Sequence, residues 1–306
     1  MKKYTLSKLF AFAFICTIFA STIFAQKKIT IGKTTAKPII FAVLNDGGSI
    51  EPIGLIDKGE LVEASNGSDE AAKLMTFSKT YYKPKSVYKL VFGGVDAGTV
   101  SVVSADPKAE CSTNTAKVTV ISSNAKLKGN VMGLATNTPV NKGTSSRRLP
   151  TVAERAEIES LVRAEFIKNK VSAANAKNLK YQNLTALDVD ADGKAEMIGS
   201  FWVETSKTER ALLFFIAEKG GNSKYKFGYS EFRTIKQDDV MSGEISSVDQ
   251  GVYQELLLDA IEYDGDKTAE IFTYVQSFEG AGFNAYSRRA GKWVKAFEGS
   301  NYHCGF

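Results

Sequence analysis

The sequence predicts a mainly β protein with some α. An N-terminal antiparallel β domain is followed by a helix and a second antiparallel sheet domain built from two pseudo-repeats. Three observations carry this reading. Short β-branched or alternating runs recur along the 306 residues, separated by turns rich in glycine, asparagine and aspartate. The clearest helical periodicity starts at Thr151. The run Asp190-Ala-Asp192-Gly-Lys-Ala-Glu196-Met returns as Asp264-Gly-Asp266-Lys-Thr-Ala-Glu270-Ile, an offset of 74 residues.

Residues 1–25 read as a secretory signal peptide. Lys2, Lys3 and Lys8 precede the apolar run Leu9–Ala20, and cleavage is expected after Ala25. An uncleaved anchor and a lipoprotein at Cys16 are the alternatives. No later stretch is apolar enough to span a membrane once the signal is removed. The expected location is therefore outside the cytoplasm: periplasmic, cell-surface or secreted. Cys111 and Cys304 then remain, and an even count in an oxidising compartment favours one disulfide over two separate thiols.

Residues 26–135 read as the β-rich domain. Strands are expected at Ile29–Ile31, Ile39–Leu44, Ser49–Ile56, Glu60–Glu63, Ser86–Phe92, Thr99–Val103 and Lys117–Ile121. Asn45-Asp-Gly-Gly48 is a hairpin signal between the second and third of these. Asp69 is placed to cap a short helix running to about Ser78. Residues 136–150 are polar, hold two prolines and read as a solvated linker. Residues 151–306 form the helix plus β-repeat domain. Thr151-Val-Ala-Glu154 is a capping box, and Ile158, Leu161, Val162 and Phe166 recur at helical spacing. Eight strands follow, at 184–187, 196–204, 211–218, 224–232, 256–261, 270–278, 283–288 and 292–297.

Charge excludes one function class. Residues 26–150 hold 17 Lys and Arg against 10 Asp and Glu, and residues 151–306 hold 19 against 24. With no basic helix or aromatic–basic motif, nucleic acid is not an expected partner. The catalytic inventory is also thin. His303 is the single histidine, and Cys304 beside it is the disulfide candidate. Zinc-type ligand sets and phosphate loops are missing from the sequence.

The sharpest chemistry is Asp188-Val-Asp190-Ala-Asp192-Gly193-Lys194-Ala-Glu196. Carboxylates at alternate positions converge when a loop curls around a hard cation, and Gly193 permits the turn. The twelfth position is Gly199 rather than glutamate, so a helix–loop–helix calcium hand is not completed. Over residues 184–204, and weakly over 258–275, the pattern resembles the calcium loops of FG-GAP and VCBS-type repeats. That resemblance implies Ca2+ held by the Asp188, Asp190, Asp192 and Glu196 side chains and the Lys194 carbonyl. It departs from the family in having Glu at the ninth position and no phenylalanine–glycine signature. Two copies are too few for a closed propeller. In the second loop Glu262 is longer than Asp188 and Lys267 replaces Gly193, so a solvated acidic turn is expected there.

The functional expectation is an exported, non-catalytic protein with a structural calcium site, acting as a binding or envelope-associated module toward a protein or glycan partner. The alternative is carbohydrate binding or a carboxylate-dependent glycoside hydrolase, with Trp202, Tyr229, Phe278, Tyr286 and Trp293 as candidate sugar-stacking rings.

Overall fold

The computed structural model describes residues 36–304 except 222, 241–246, 252 and 278. The signal peptide, the Ile29–Ile31 strand and the Phe278 ring lie outside the described residues.

The first seven strands are β1 (Ile39–Leu44), β2 (Ser49–Asp57), β3 (Glu60–Glu63), β4 (Val87–Val91), β5 (Asp96–Ser104), β6 (Ala116–Ile121) and β7 (Gly133–Thr136). Their sheet runs β1-β7-β4-β5-β6-β2-β3, and β1 also pairs with β2. Six strands therefore close into an antiparallel ring. Closure works because one edge of β2 is shared: Ser49 and Ile50 pair with β6, and Gly54 to Asp57 pair with β3. A closed ring leaves few free edges to recruit other chains.

The unbroken apolar run of β1 is explained by burial on both faces. Ile39, Phe41 and Val43 point into the ring, while Ile40, Ala42 and Leu44 point outward against another sheet. Helix α1 (Ala71–Tyr81) sends Phe77 and Tyr81 into the ring interior beside Phe41. Its N-cap is Glu70 without a side-chain bond. Asp69, expected as the cap, instead accepts from Ser65 Oγ and the Asn66 N–H and pairs with Lys73.

Helix α2 (Val152–Lys168) begins as expected, with both capping-box bonds formed between Thr151 and Glu154. A short α3 (Ala173–Ala176) follows. Two four-stranded antiparallel meanders complete the chain. The first is β8 (Lys180–Leu187), β9 (Glu196–Ser206), β10 (Glu209–Lys219) and β11 (Tyr225–Lys236). The second is β12 (Glu255–Ile261), β13 (Glu270–Gln276), β14 (Gly280–Arg289) and β15 (Lys292–Tyr302). Each keeps its strands in sequence order.

Strand alternation turns these elements into layers. Met197, Phe201, Val203, Leu213 and Phe215 of the first meander pack on Ile158, Val162 and Phe166 of α2. Ile198, Phe214 and Ile216 face the other way, onto Leu257, Ile271, Tyr286 and Trp293 of the second meander. The far face of the second meander, with Leu258, Phe272, Phe283 and Ala285, packs on the outside of the ring. The order is helix, sheet, sheet, ring.

Residues 136–150 do not behave as a solvated linker throughout. Thr136 and Thr138 are buried. Arg148 exchanges two backbone hydrogen bonds with Ala186, both 2.9 Å. The Arg147 side chain is 7% exposed and donates through Nη1 to Met132 O, Leu258 O and Asp259 Oδ2 at 2.9, 2.6 and 2.8 Å. Asp259 is 0% exposed and also accepts from the Gly93 and Gly94 N–H groups, both at 2.9 Å. Residues 141–144 are exposed as the polar composition suggests, but Thr136, Thr138 and Arg147 spend their polar groups on partners inside the fold.

The C-terminal strand is fastened to the ring. Asn301 bonds Glu51, the Gly67 N–H and Asn114, and His303 Nε2 lies 2.9 Å from Glu51 Oε1. A Cβ on Gly67 would sit 2.0 Å from Tyr302 O, so the close approach requires glycine. Cys111 and Cys304 form the expected disulfide.

Two outcomes follow from this packing. Arg147→Ala leaves the Asp259 carboxylate buried with its cation gone, and is expected to destabilise the protein by about 3–5 kcal/mol in denaturant unfolding; a loss below about 1 kcal/mol would match an exposed pair and contradict the assignment. The hydrogen bond with Glu51 raises the His303 pKa above its ordinary value of 6.5. A raised histidine contributes its stability below the unfolded value and loses it as pH climbs through the folded value. The melting-temperature advantage of the wild type over His303→Gln is therefore expected to be largest below about pH 6.5 and to fade in alkaline buffer. A constant difference across that range would be the wrong result.

Candidate metal centres

Two acidic clusters that could hold a metal ion form among the described residues: Asp188, Asp190 and Glu196, and Asp264, Asp266 and Glu270. In each, carboxylate oxygens from all three residues lie within 4.8 Å of one another. Both clusters occupy the same place in their meander, the loop joining its first strand to its second.

The loops share a backbone plan. Ala191 and Gly193 have φ of 57° and 81°, and the residues 74 further on, Gly265 and Lys267, have φ of 94° and 75°. Lys267 therefore adopts the left-handed conformation that Gly193 supplies in the first loop. The turn bonds also match. Asp190 Oδ1 accepts from the Asp192 N–H at 3.3 Å and Asp192 Oδ1 from the Lys194 N–H at 2.7 Å. Asp264 Oδ1 and Asp266 Oδ1 do the same for Asp266 and Thr268, at 3.0 and 2.7 Å. The two loops touch: the Ala269 N–H donates to Val189 O at 2.8 Å.

In the first loop three of the expected side chains converge and one stands aside. Asp192 is exposed and engages Lys194 through both its N–H and its Nζ, which lowers the Asp192 pKa, the backbone bond contributing most. Glu196 opens β9 at 4% exposure. Burial pushes its carboxyl up to about 7; the charge of Asp190 adds to this, while the Val189 N–H and Arg288 oppose it. Asp188 Oδ1 is buried without a partner, and Asp188 Oδ2 accepts from the Gly193 N–H at 3.0 Å.

Sequence reasoning missed a cation here. Arg288, on β14 of the other meander, reaches into the first loop. Its Nη1 lies 2.5 Å from Asp190 Oδ2, and its Nη2 lies 3.3 Å from Glu196 Oε1 and 3.2 Å from Glu218 Oε2. The guanidinium also stands 4.9 Å over the Trp293 ring. The 74-residue offset ends at the hairpin: Ala217 pairs with Met197 as Tyr286 pairs with Ile271, so the residue in the place of Arg288 is Lys219, whose amine lies 5.2 Å over the Tyr225 ring instead.

The second loop differs from the expected solvated turn. Asp264 and Asp266 are exposed, but Glu270 opens β13 at 1% exposure, and neither of its oxygens has a hydrogen-bond partner. Burial, followed by the charge of Asp264, pushes its carboxyl up to about 8, against weak opposition from nearby backbone N–H groups. No ion pair reaches Glu270, Asp264 or Asp266 among the described residues. Glu262, one methylene longer than Asp188, turns back to accept from the Gly265 N–H at 2.5 Å.

The candidate sugar-stacking rings are dispersed. Tyr286 and Trp293 are buried between the meanders, with Tyr229 packed on them. Trp202 lies near the opposite end of β9 from Glu196 and lines a cavity of about 240 Å³ together with Asn130, Gln182, Gln254 and Gln276. Lys180 Nζ sits 4.4 Å over the Trp202 ring. Asp249, also lining the cavity, is clamped by Arg210 through two bonds of 2.7 and 3.0 Å.

No protein-family model, curated protein or solved structure matches this chain.

Proposed function

We propose that this is an exported, non-catalytic protein in which calcium, bound in the 188–196 loop, fixes the edge where the two meanders meet, leaving the rest of the surface to serve as a binding or envelope-associated scaffold. The observation that carries this is the convergence of Asp188, Asp190 and Glu196 with Asp188 Oδ1 buried and unpartnered. Three carboxylates, Asp190, Glu196 and Glu218, contact the Arg288 guanidinium, and Lys226 also pairs with Glu218; with Asp188 as a fourth carboxylate, formal negative charge remains in excess of these two cations. Oxygen-only ligands suit calcium, which accepts irregular geometry and six to eight oxygens. The Lys194 carbonyl completes the set, and Asp192 joins by releasing Lys194.

Export is supported by the basic and apolar start of the sequence and by the Cys111–Cys304 disulfide, since such bonds persist in oxidising compartments. Among the described residues no helix is long and apolar enough to cross a membrane. The resemblance to FG-GAP and VCBS-type repeats gains support from the four-stranded meander around each loop, the unit from which propeller blades are made. Here two such units stack face to face.

A second reading concerns the partner. The amide-lined cavity beside Trp202 favours a glycan, which presents hydroxyls to both donors and acceptors. Binding rather than hydrolysis fits this lining, because Asp249 is neutralised by Arg210.

Calorimetric titration of the chain lacking residues 1–25 is expected to show calcium binding, with one event removed by Asp190→Ala. Saturation at about a hundred times Kd should add about 2.7 kcal/mol of stability. A calcium response untouched by Asp190→Ala would remove the first loop from the account. For the cavity, a polysaccharide panel should yield a ligand whose affinity drops on Gln254→Ala; an indifferent variant would place the glycan elsewhere.

A further inference from the structure

We propose that the 262–270 loop is a second divalent-cation site, held by Glu270, Asp264 and Asp266, and that it binds calcium more tightly than the first loop. The two loops agree in backbone and in the position of the closing glutamate; they differ in what meets that glutamate. Glu196 has the Val189 N–H at 3.2 Å and the Arg288 guanidinium. Among the described residues Glu270 has no ion pair and no hydrogen bond of ordinary geometry, only a weaker pull from backbone N–H groups that include that of Tyr263, and both its oxygens are sealed from solvent. A buried polar atom left without a partner costs about 1–3 kcal/mol, and a charged one more. Native folds hold few such atoms, and each calls for a physical reason.

The surroundings sharpen the contrast. Three carboxylates of the second meander are buried: Glu255, Asp259 and Glu270. Glu255 Oε1 accepts from Thr273, Asn284 and Tyr286. Asp259 has Arg147 and two glycine N–H groups. Of the three, Glu270 alone has no hydrogen-bond or ion-pair partner among the described residues. Its oxygens lie within 4.8 Å of those of Asp264 and Asp266, a separation one oxygen-seeking cation can bridge. Protonation would remove the charge but still leave the acid O–H without an acceptor.

Arg288 sets the order of affinity. In the first loop it already occupies Asp190 Oδ2 and Glu196 Oε1, so an incoming cation must share or displace a guanidinium. In the second loop no ion pair has to be broken. This inference stands apart from the first-loop reading, and either can fail alone.

The test is calcium calorimetry on the chain lacking residues 1–25, with Glu270→Gln, Asp264→Asn, Asp190→Ala and Arg288→Gln. The tighter event is expected to weaken by about tenfold or more in Glu270→Gln and in Asp264→Asn, the latter at an exposed position that leaves folding intact. It should persist in Asp190→Ala, while Arg288→Gln strengthens the weaker event. Thermal melts supply an independent sign: Glu270→Gln should be at least as stable as the wild type in chelator and less stable in calcium. Equal destabilisation in both buffers, or a tight event unchanged by Glu270→Gln and Asp264→Asn, overturns the proposal. A single event lost in Asp190→Ala and kept in Glu270→Gln would also overturn it and leave the first-loop reading standing.

Discussion

The second meander has to be buried on both faces, and the rest of the structure answers to that constraint. An antiparallel sheet ordinarily keeps one face in water. Here β12 and β14 are apolar on both sides, with Leu257 and Tyr286 facing the first meander and Leu258, Phe283 and Ala285 facing the ring. Two covers are needed. The first meander supplies one and must in turn be covered by α2 on its own far side. The ring supplies the other, through a strand, β1, that is itself apolar on both faces.

Two-sided burial makes every polar group in the central sheet expensive unless it is paired. The solutions come from different parts of the chain. Glu255 is satisfied within its own sheet, by neighbours on β13 and β14. Asp259 is satisfied by Arg147 from the segment between ring and helix and by the Gly93-Gly94 turn of the ring. That pairing ties three stretches of chain to one buried carboxylate, which explains why residues 136–150, though partly exposed, are anchored to the fold at Arg147.

Much of the fold was legible in local sequence. The capping box at Thr151, the Ile158–Val162–Phe166 stripe and nearly all strands have signals that depend on neighbouring residues alone, and the structure has them. What was not legible depends on distant partners. Strand β7 is four residues long and is a strand because β1 and β4 hold it from both sides. Ring closure rests on β2 sharing an edge between β3 and β6, which no periodicity encodes. Arg147 has the composition of a linker residue and the environment of a core residue. The disulfide followed from parity and compartment, and the fold brings the two cysteines together.

The two acidic loops show where motif reading and physics part. The first looks stronger as a motif because it has Gly193 at the turn and an aspartate at its start. Yet the left-handed position is filled just as well by Lys267, which places its charge in solvent, and Gly265 relieves the other left-handed position, held in the first loop by Ala191. The turn residue therefore decides little. What decides more is how each copy neutralises the glutamate that closes it, since both glutamates are buried by the same strand geometry. One copy recruits an arginine from the opposite meander, whereas Lys219, the residue at the matching site of the first meander, lies over the Tyr225 ring. The other recruits no cation from the described residues. In the first loop Arg288 therefore supplies from the chain itself part of the positive charge that such a cluster calls for, and in the second loop the described residues supply none.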